Sequence, residues 1–315
     1  MRLAVLGAGA VGTSVVELAG DYGHTVVALA DSSSAAVDEA GIDAEAVLAR
    51  KEDEGVVGDA SVADALDCDY DVLVEATPTT LGDAQPGFGH VEHALARDRH
   101  VVLANKGPVA ERYDELRALE ADSEGTVLFE ATVAGAIPAL STIDDVGAEH
   151  VTSVRGVLNG TANFILTRMA AEGLGYEHVL AEAQDLGVAE TDPSFDVEGT
   201  DAALKCVILA NLLYGGGYTL EDAEVEGIEE IPGDALDLAT EDGRTVRLIG
   251  EVVDGEIRVG PRLIPANGTL AVTGTQNIVQ LETTFAGTLN ISGRGAGGPE
   301  TASAVLADVG RLPER

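Results

Sequence analysis

The amino-acid sequence predicts an α/β protein with a Rossmann-type parallel sheet in a nucleotide-binding domain and a second, α+β domain. Three observations lead to this prediction. Short β-rich runs alternate with helical stretches in the first half of the chain, a pattern typical of a parallel sheet with helices on both faces. A GxGxxG motif directly follows the first of these runs. The alternation ends near residue 138 of a 315-residue chain, which exceeds the usual size of one hydrophobic core.

The elements of the first half follow one another in the order that such a sheet requires. Their apolar and β-branched residues predict strands at residues 2–6, 25–30, 71–75, 101–104 and 126–129. Helices are predicted at residues 12–20, 91–98 and 113–121, and the acidic stretch 44–55 is predicted to be a helix or loop on the surface.

The second half predicts a mixed domain. Its predicted elements are a strand at residues 151–158, helices at 162–171, 176–186 and 201–213, strands at 245–253 and 256–261, short strands to about 291, and a helix at 301–309. Asp254-Gly255 is a strong hairpin dipeptide, so the strands on either side of it are expected to pair. The predicted domains are 1–137 for dinucleotide binding, 138–292 for substrate binding and dimerisation, and 293–315 as a segment that returns to the first domain.

The composition restricts the classes of partner. The formal net charge of −37 comes from 55 acidic and 18 basic residues spread along the chain, and such a field repels nucleic acid and anionic membranes. The acidic surface and the scarcity of lysine resemble proteins from organisms that accumulate molar salt, so we expect instability at low salt. Cys68 and Cys206 have no metal-binding or disulfide spacing. With a strand at the N-terminus and no apolar run of ~18 residues, the sequence predicts a soluble cytoplasmic protein.

The chain contains only three lysines, Lys51, Lys106 and Lys205. Lysine can exchange a proton where arginine cannot, because its pKa moves readily when it is buried. Lys106 and Lys205 stand inside dense motif stretches and are therefore candidate functional residues. Lys51 lies in the acidic stretch, and we expect it to be a solvated surface charge.

The glycine motif predicts a site for a dinucleotide. Its glycines allow a tight turn, close approach of a pyrophosphate and close packing of the helix on the strand, and the helix N-terminus attracts the anion. The predicted cofactor-binding residues of this turn are Gly7, Gly9, Ala10, Val11 and Gly12. A glycine-rich turn without a function is the alternative, and the position between a strand and a helix disfavours it.

Asp31 ends the second predicted strand, 19 residues beyond Gly12. A carboxylate at this place hydrogen-bonds an adenosine ribose and favours NAD over NADP. The alternatives are that Asp31 is only a turn or cap residue, and that the hydroxyls of Ser32, Ser33 and Ser34 accept a 2′-phosphate.

Two further strand ends are expected at the same edge of the sheet, where open parallel sheets bind ligands. Thr77 and Pro78 follow one strand, and Asn105 and Lys106 follow the next. We predict that all four contribute to cofactor binding and that Lys106 also reaches the substrate. An ordinary surface charge is the alternative for Lys106.

The segment AQDLGVAETDPSFDVEGTDAALK at residues 183–205 resembles the signature of homoserine dehydrogenases. Supporting segments occur in the family's order across nearly the whole chain, at residues 105–108, 130–138, 156–164 and 293–302. The resemblance implies reversible, NAD- or NADP-dependent interconversion of L-homoserine and L-aspartate 4-semialdehyde, a step of threonine and methionine biosynthesis. It also implies a homodimer.

Within this signature, Asp201 and Lys205 are four residues apart and share one face of a predicted helix. The surrounding apolar residues indicate burial, and a buried ammonium needs a carboxylate partner. An exposed ion pair is the alternative. The resemblance implies that Lys205 is the general acid and base, with Asp201 orienting it, and that Glu190 binds the substrate ammonium. Asp192 and Asp196 are second choices for that contact.

Further site residues follow from the resemblance. Asn159 and Thr161 precede a predicted helix, where they either hold the substrate carboxylate or cap the helix. Gly187 and Gly297 are implied to contact the cofactor. Oxygens of Glu130, Val133, Gly135 and Ile137 are implied to bind a monovalent cation, such as sodium, in the loop between the domains.

Three classes of function are compatible with parts of this pattern. Another NAD(P)-dependent dehydrogenase of a small amino-acid substrate would share the glycine motif but not the signature at residues 190–205. A non-enzymatic nucleotide sensor would not need a buried Asp201 and Lys205 pair. The chain ends at Arg315, soon after the last motif, so we expect no regulatory domain of the kind that many relatives carry and no inhibition by threonine.

Overall fold

The structure is a computed structural model that describes residues 1–313. The chain divides into two compact units. The first contains residues 1–136 and the segment from Ala296 onward, and the second is Ile137–Gly295. The functions assigned to the two domains, and their predicted boundaries after residues 137 and 292, stay predictions.

Twelve strands form two sheets within the described residues. They are β1 Arg2–Leu6, β2 Thr25–Ala30, β3 Ala35–Val37, β4 Val72–Glu75, β5 His100–Leu103, β6 Val127–Leu128, β7 Val151–Val157, β8 Ala223–Val225, β9 Arg244–Val253, β10 Glu256–Pro265, β11 Gln276–Thr283 and β12 Gly287–Arg294.

Thirteen α-helices occur in the same part of the chain. They are α1 Ala10–Leu18, α2 Ala44–Glu54, α3 Val62–Asp67, α4 Gly87–Leu95, α5 Gly107–Glu111, α6 Tyr113–Ala121, α7 Ala139–Val146, α8 Gly160–Glu172, α9 Tyr176–Asp185, α10 Ser194–Val197, α11 Thr200–Tyr214, α12 Gly233–Glu241 and α13 Gly298–Arg311. Short 3-10 helices cover Glu130–Thr132, Ala148–His150 and Leu220–Asp222.

The first unit is built on a six-stranded sheet of order β3-β2-β1-β4-β5-β6. Its strands are parallel except β3, which pairs with β2 in the antiparallel direction. Because the parallel strands are covered on both faces, they are almost wholly apolar and buried. The strand order reverses on either side of β1, so the carboxyl ends of β1 and β4 flank the crevice in which doubly wound sheets bind ligands.

The core of this unit joins the sheet to helices from both ends of the chain. Val15 of α1 and Val305 and Val309 of α13 are fully buried and belong to the same apolar cluster as Leu3 and Val5 of β1. Burial of each such side chain stabilises the fold by ~1.5 to 3 kcal/mol. The C-terminal helix is therefore an integral layer of the first unit.

The second unit contains a sheet of order β12-β11-β7-β9-β10-β8. Its strands pair in the antiparallel direction except β8, which is parallel to β10. The predicted hairpin is confirmed, with Val253 opposite Glu256 and positive φ angles at Asp254 and Gly255, as a two-residue turn of this kind requires. The predicted α/β fold with a second α+β unit is thus confirmed.

Several element bounds differ from those predicted. Helix α1 begins at Ala10 rather than residue 12, because Gly9 is already its N-cap. Helix α4 begins four residues before the predicted position, directly after Pro86. Helix α3 was not predicted, although Ser61 and Asp64 form a capping box at its start. Within residues 1–313, we find no helix with the length and hydrophobicity that a membrane span requires.

Candidate active site

The turn between β1 and α1 has the geometry that the glycine motif predicts. Gly7 adopts a φ of +106°, and a Cβ there would overlap the carbonyl oxygen of Ala76, at the end of β4. A Cβ on Gly12 would overlap the carbonyl of Gly7. Both positions therefore require glycine, one for its backbone conformation and both for close packing.

Gly9 differs from these two glycines because a Cβ at that position would meet nothing within 4 Å. It is the N-cap of α1 and makes no side-chain capping bond, and Gly9 and Ala10 are exposed. The first-turn amides of Ala10 and Val11 point out of the helix N-terminus, whose partial positive charge attracts anions. The open space and the free helix end fit a pyrophosphate, so the residues present suit a dinucleotide.

Asp31 lies beside this turn, because the N–H of Gly7 donates to the carbonyl of Ala30. Its Oδ1 accepts from the N–H groups of Ser33 (2.8 Å) and Ser34 (2.7 Å), so Asp31 closes a local turn. Its Oδ2 accepts from Nζ of Lys51. Burial alone would raise the pKa of this carboxyl, but the hydrogen bonds from Lys51, Ser33 and Ser34 outweigh it and hold the pKa well below its usual range.

The expectation that Lys51 is a solvated surface charge is therefore wrong. Its side chain is 31% exposed and its Nζ also donates to the carbonyl of Gly55 at 3.1 Å. Helix α2 places the ammonium over Asp31, whose side chain is only 8% exposed. The pair neutralises most of the negative charge at the end of β2, where the adenosine end of a cofactor is predicted.

The ends of β4 and β5 are joined by one buried carboxylate. Oε1 of Glu75 accepts from the N–H and hydroxyl of Thr77 and from Nδ2 of Asn105 (3.3 Å). Nδ2 of Asn105 also lies within hydrogen-bond distance of the Pro78 carbonyl, at 3.4 Å. The N–H of Lys106 donates to Thr79 Oγ1 at 3.4 Å. The structure thus brings Thr77, Pro78, Asn105 and Lys106 to one edge of the sheet.

Gly297 is the residue before α13 and lies in the same unit. A Cβ on its neighbour Gly298 would stand 2.7 Å from the carbonyl oxygen of Ala10. The turn that begins α13 therefore packs on the first turn of α1, and the predicted cofactor residue Gly297 lies beside the glycine motif.

In the second unit, Lys205 and Asp201 form a buried ion pair on α11. Nζ of Lys205 donates to Oδ2 of Asp201 at 2.6 Å and to the carbonyl oxygen of Leu158 at 2.7 Å. Lys205 is 7% exposed and Asp201 is 6% exposed. An exposed surface pair is thereby excluded. The third N–H of the ammonium has no hydrogen-bond partner among residues 1–313, and it is available to a ligand.

Asn159 connects this pair to a second carboxylate. Its Nδ2 donates to Asp201 Oδ2 (2.9 Å) and to Asp196 Oδ1 (2.6 Å), while its Oδ1 accepts from the N–H of Ala162 and caps α8. Every polar atom of the Asn159 side chain is used in these contacts. The side chain therefore caps α8, and the contact of Asn159 with the substrate carboxylate stays a prediction.

Two predicted residues lie on the segment that joins α9 to α10. Gly187 and Glu190 are both exposed. Thr161, in the first turn of α8, donates its hydroxyl to the carbonyl of Val188 at 3.1 Å and ties this segment to the unit. The Glu190 side chain makes no hydrogen bond within the described part of the chain, so its carboxylate can accept from a ligand. Asp192 accepts from Ser194 of the same turn.

Comparison with known proteins decides the family. A homoserine dehydrogenase family model matches residues 138–309, and a model for glutamate, leucine, phenylalanine and valine dehydrogenases matches residues 1–81. A homoserine dehydrogenase of Methanocaldococcus jannaschii is 40% identical over 98% of this chain and 97% of its own length. The chain belongs to the homoserine dehydrogenase family. The predictions of the family and of an oxidoreductase that acts on a CH–OH group are confirmed.

Two further homoserine dehydrogenases are informative about cofactors. An NAD(+)-dependent homoserine dehydrogenase of Pseudomonas canavaninivorans is 38% identical, and the match covers 77% of this chain and 71% of the relative. A hyperthermophilic archaeal homoserine dehydrogenase solved in complex with NADPH is 28% identical, with a TM-score of 0.86 and coverage of 99% and 98%. Relatives of this chain are thus associated with both nicotinamide cofactors.

The predicted cation ligands lie on the segment that follows β6. Glu130, Val133 and Gly135 belong to the first unit, and Ile137 opens the second. Glu130 is buried, its N–H donates to Oδ2 of Asp308 at 2.8 Å, and its carboxylate lies 3.5 Å from Arg311. The described residues contain no cluster of three or more His, Cys, Asp or Glu side chains of the kind that holds a metal ion. A cation here would depend mainly on backbone oxygens.

Sequence reasoning missed two buried side chains of these sites. Glu75 ends an otherwise apolar strand, which is a recognisable signal for a strand-end carboxylate. Asn277 of β11 donates Nδ2 to the Leu158 carbonyl that also accepts from Lys205. No periodicity in the sequence marks this second contact, since it depends on how β11 pairs with β7.

Proposed function

We propose that this member of the homoserine dehydrogenase family interconverts L-homoserine and L-aspartate 4-semialdehyde with NAD or NADP, and that Lys205 is its general acid and base. The observation that carries this proposal is the buried Lys205 ammonium, held by Asp201 and the Leu158 carbonyl with one N–H left for a ligand. The bound nicotinamide supplies or accepts the hydride. The protein has to bind the amino acid, orient its reacting oxygen and move one proton.

Lys205 performs the proton transfer in this scheme. During reduction of the aldehyde, its remaining N–H donates to the oxygen that gains negative charge. During oxidation of homoserine, the neutral amine takes the hydroxyl proton. Such proton transfer by a positioned side chain contributes about 10²- to 10⁴-fold to the rate.

Asp201 orients the ammonium and compensates its charge. A buried ammonium without a carboxylate costs several kcal/mol, roughly 3 to 5 when one partner of a buried pair is removed. Asn159 in turn fixes Asp201, since its amide bridges Asp201 and Asp196. Hydrogen bonds therefore connect Asp196 to Asn159, Asn159 to Asp201, and Asp201 to Lys205. Rotation of any one of these side chains disturbs the next.

The other predicted residues supply the substrate contacts. Glu190 has an exposed carboxylate suited to the substrate ammonium. The backbone N–H groups at the start of α8, after Asn159, suit its carboxylate. Lys106 is proposed as a further substrate contact on the basis of the family resemblance. Asp196 is the second candidate for the ammonium contact, although its Oδ1 already accepts from Asn159.

The cofactor is assigned to the glycine turn and the adjacent strand ends of the first unit. The proposed contacts in that unit are Gly7, Gly9, Ala10, Val11, Gly12, Asp31, Thr77, Pro78, Asn105, Lys106 and Gly297. Gly187, which belongs to the second unit, is proposed on the family resemblance alone. We propose NAD as the preferred cofactor because Asp31 places a carboxylate at the end of β2. The pairing of Asp31 with Lys51 weakens this preference, since it removes most of the charge that would repel a 2′-phosphate.

A monovalent cation is assigned to Glu130, Val133, Gly135 and Ile137. The donors are all oxygens, which suits a hard cation such as Na⁺. The Ile137 carbonyl accepts one hydrogen bond, from the N–H of Ala139 at 2.8 Å, and retains a second lone pair. We further propose a homodimer that works in the cytoplasm of an organism with high internal salt, on the basis of the family and the net charge of −37.

The role of Lys205 is tested with Lys205→Met and Lys205→Arg, assayed with L-homoserine in molar KCl. Lys205→Met should lower kcat by about 10²- to 10⁴-fold, because the proton acceptor is lost. Lys205→Arg keeps the positive charge but does not release a proton in the working range of pH. It should therefore remain nearly as slow as Lys205→Met in homoserine oxidation.

Cofactor affinity and Tm serve as the controls for these variants. Both should stay close to the wild-type values in Lys205→Arg. A variant Lys205→Met that retains more than a tenth of the wild-type kcat would remove Lys205 from the acid–base role.

A further inference from the structure

Asn277 is almost completely buried, at 1% exposure, and its side chain reaches the site of Lys205 from a different element. Its Nδ2 donates to the Leu158 carbonyl oxygen at 2.9 Å, and Nζ of Lys205 donates to the same oxygen at 2.7 Å. Leu158 directly follows β7, and its carbonyl points out of the sheet ladder. One backbone oxygen therefore accepts an amide from β11 and an ammonium from α11.

The orientation of the Asn277 amide is fixed by this contact. A flipped amide would put Oδ1 against the Leu158 carbonyl, where two acceptors repel each other. Oδ1 consequently faces the other way, and it is buried without a hydrogen-bond partner within residues 1–313. Proteins rarely retain such an atom, because an unpaired buried acceptor destabilises the fold.

Packing alone does not explain asparagine at this position. Gly295 lies so close that a Cβ there would overlap the Asn277 amide, which shows that the backbone has closed tightly around this side chain. A leucine of similar shape would fill the same space and leave no unpaired oxygen. The Leu158 carbonyl would still accept from Lys205, so a purely structural role favours leucine over asparagine.

We propose that Asn277 is a positioning residue for the ammonium of Lys205. This inference rests on the function proposed above. Of the two acceptors that hold Nζ, Asp201 belongs to the same helix and moves with it, whereas the Leu158 carbonyl belongs to the turn between β7 and α8. By donating to that carbonyl, Asn277 fixes its direction and with it the place of the ammonium relative to the β7–α8 turn. A displacement of about 1 Å at a reacting group can cost about a hundredfold in rate.

The experiment is Asn277→Leu in the full chain, with NAD(P)-linked oxidation of L-homoserine in molar KCl. We expect kcat to fall about 10- to 100-fold. The KM for the cofactor should stay within about twofold and Tm should be unchanged or higher, because the variant removes an unpaired acceptor and leaves no new one.

The matched control is Asn211→Leu on the same helix as Lys205. Asn211 is also fully buried, but its amide pairs with the N–H and carbonyl of Tyr218, both at 2.9 Å, at the far end of α11. We expect the opposite result there, with a Tm lower by about 5 °C and kcat within about twofold at a temperature where the variant is folded.

Asn277→Asp provides a second test if the leucine variant does not fold. The aspartate side chain has the same shape as that of asparagine, but it can donate to the Leu158 carbonyl only as the protonated carboxylic acid. The ratio of its kcat to that of the wild type should therefore rise as the pH is lowered.

Three results would overturn the inference. A folded Asn277→Leu with wild-type kcat removes the positioning role. A structural role only is indicated if Tm, cofactor affinity and kcat all fall together in both Asn277 variants and the ratio of the Asn277→Asp kcat to the wild-type kcat does not change with pH. A wild type that does not oxidise homoserine ends the proposed function and this inference with it, an outcome that is visible before any variant is made.

Discussion

The strength of the Lys205 and Asp201 pair can be worked out as a double-mutant cycle. Asp201→Asn removes the counter-charge and leaves the ammonium with the Leu158 carbonyl at 2.7 Å. Because both side chains are 9% exposed, water does little to replace the lost partner, and we expect a cost of about 3 kcal/mol. Lys205→Met should cost less, about 1 to 2 kcal/mol, since Asp201 still accepts from Asn159 at 2.9 Å.

The free energy of unfolding of the double variant should fall by much less than the sum of the losses in the two single variants. Methionine packs among the apolar residues around position 205, and asparagine at 201 carries no charge. We therefore expect a coupling energy of about 2 kcal/mol.

The assay is urea unfolding at constant high KCl, followed by circular dichroism because the chain contains no tryptophan. Urea keeps the ionic strength constant, which guanidinium would not. Additivity of the two single changes within about 0.5 kcal/mol would refute the account of a buried, mutually dependent pair.

Three other predictions concern pH, the glycine turn and salt. Burial raises the pKa of Asp308 to about 6; the hydrogen bond from the Glu130 N–H and the charge of Arg311 oppose this shift, and the negative charge of Glu130 adds to it. Between about pH 4 and 6 the native protein keeps a proton on Asp308 that the unfolded chain has lost. The stability that comes from this proton is therefore lost as the pH rises through that window. Asp308→Asn should gain about 2 to 3 kcal/mol relative to wild type between pH 4 and pH 7, and a constant difference in urea unfolding across that range would be inconsistent with this. Gly9→Ala should raise the KM for the cofactor at least tenfold with little change in Tm, whereas Gly20→Ala, where a Cβ is equally unobstructed, should change neither; equal effects of both would contradict the placement of the pyrophosphate. The Debye length is ~10 Å at 0.1 M salt and ~3 Å at 1 M, so repulsion within the net charge of −37 reaches further at low salt. Scanning calorimetry should therefore show a Tm that increases by at least about 10 °C between 0.1 and 3 M KCl. A flat profile would rule out repulsion as the cause of low-salt instability.

Regular elements with strong local signals could be predicted from the sequence. Strands β1 and β2 have the predicted bounds, because they are short apolar runs that end at turn residues. The hairpin at Asp254 and Gly255 was predictable because those two residues favour the positive φ that the turn needs. The three-residue strand β3 was not, since its pairing with β2 depends on a turn closed by Asp31.

In the candidate site, too, contacts with a local sequence signal could be predicted and contacts between distant residues could not. The spacing of Asp201 and Lys205 predicts their contact, since residues four apart share one face of a helix. The contacts of Lys51 with Asp31 and of Asn277 with Leu158 join residues that are 20 and 119 positions apart. Such contacts are set by the packing of helices and strands rather than by any local pattern, and for that reason Lys51 was predicted wrongly and Asn277 was missed.

The most direct test of the central claim is oxidation of L-homoserine by the wild-type protein in molar KCl, with NAD and NADP supplied separately. The account predicts that the reduced cofactor forms in equimolar amount with a trapped aldehyde product, and that the specificity constant is larger with NAD. The absence of cofactor reduction with either nucleotide, in a protein that is folded at that salt concentration, would contradict it.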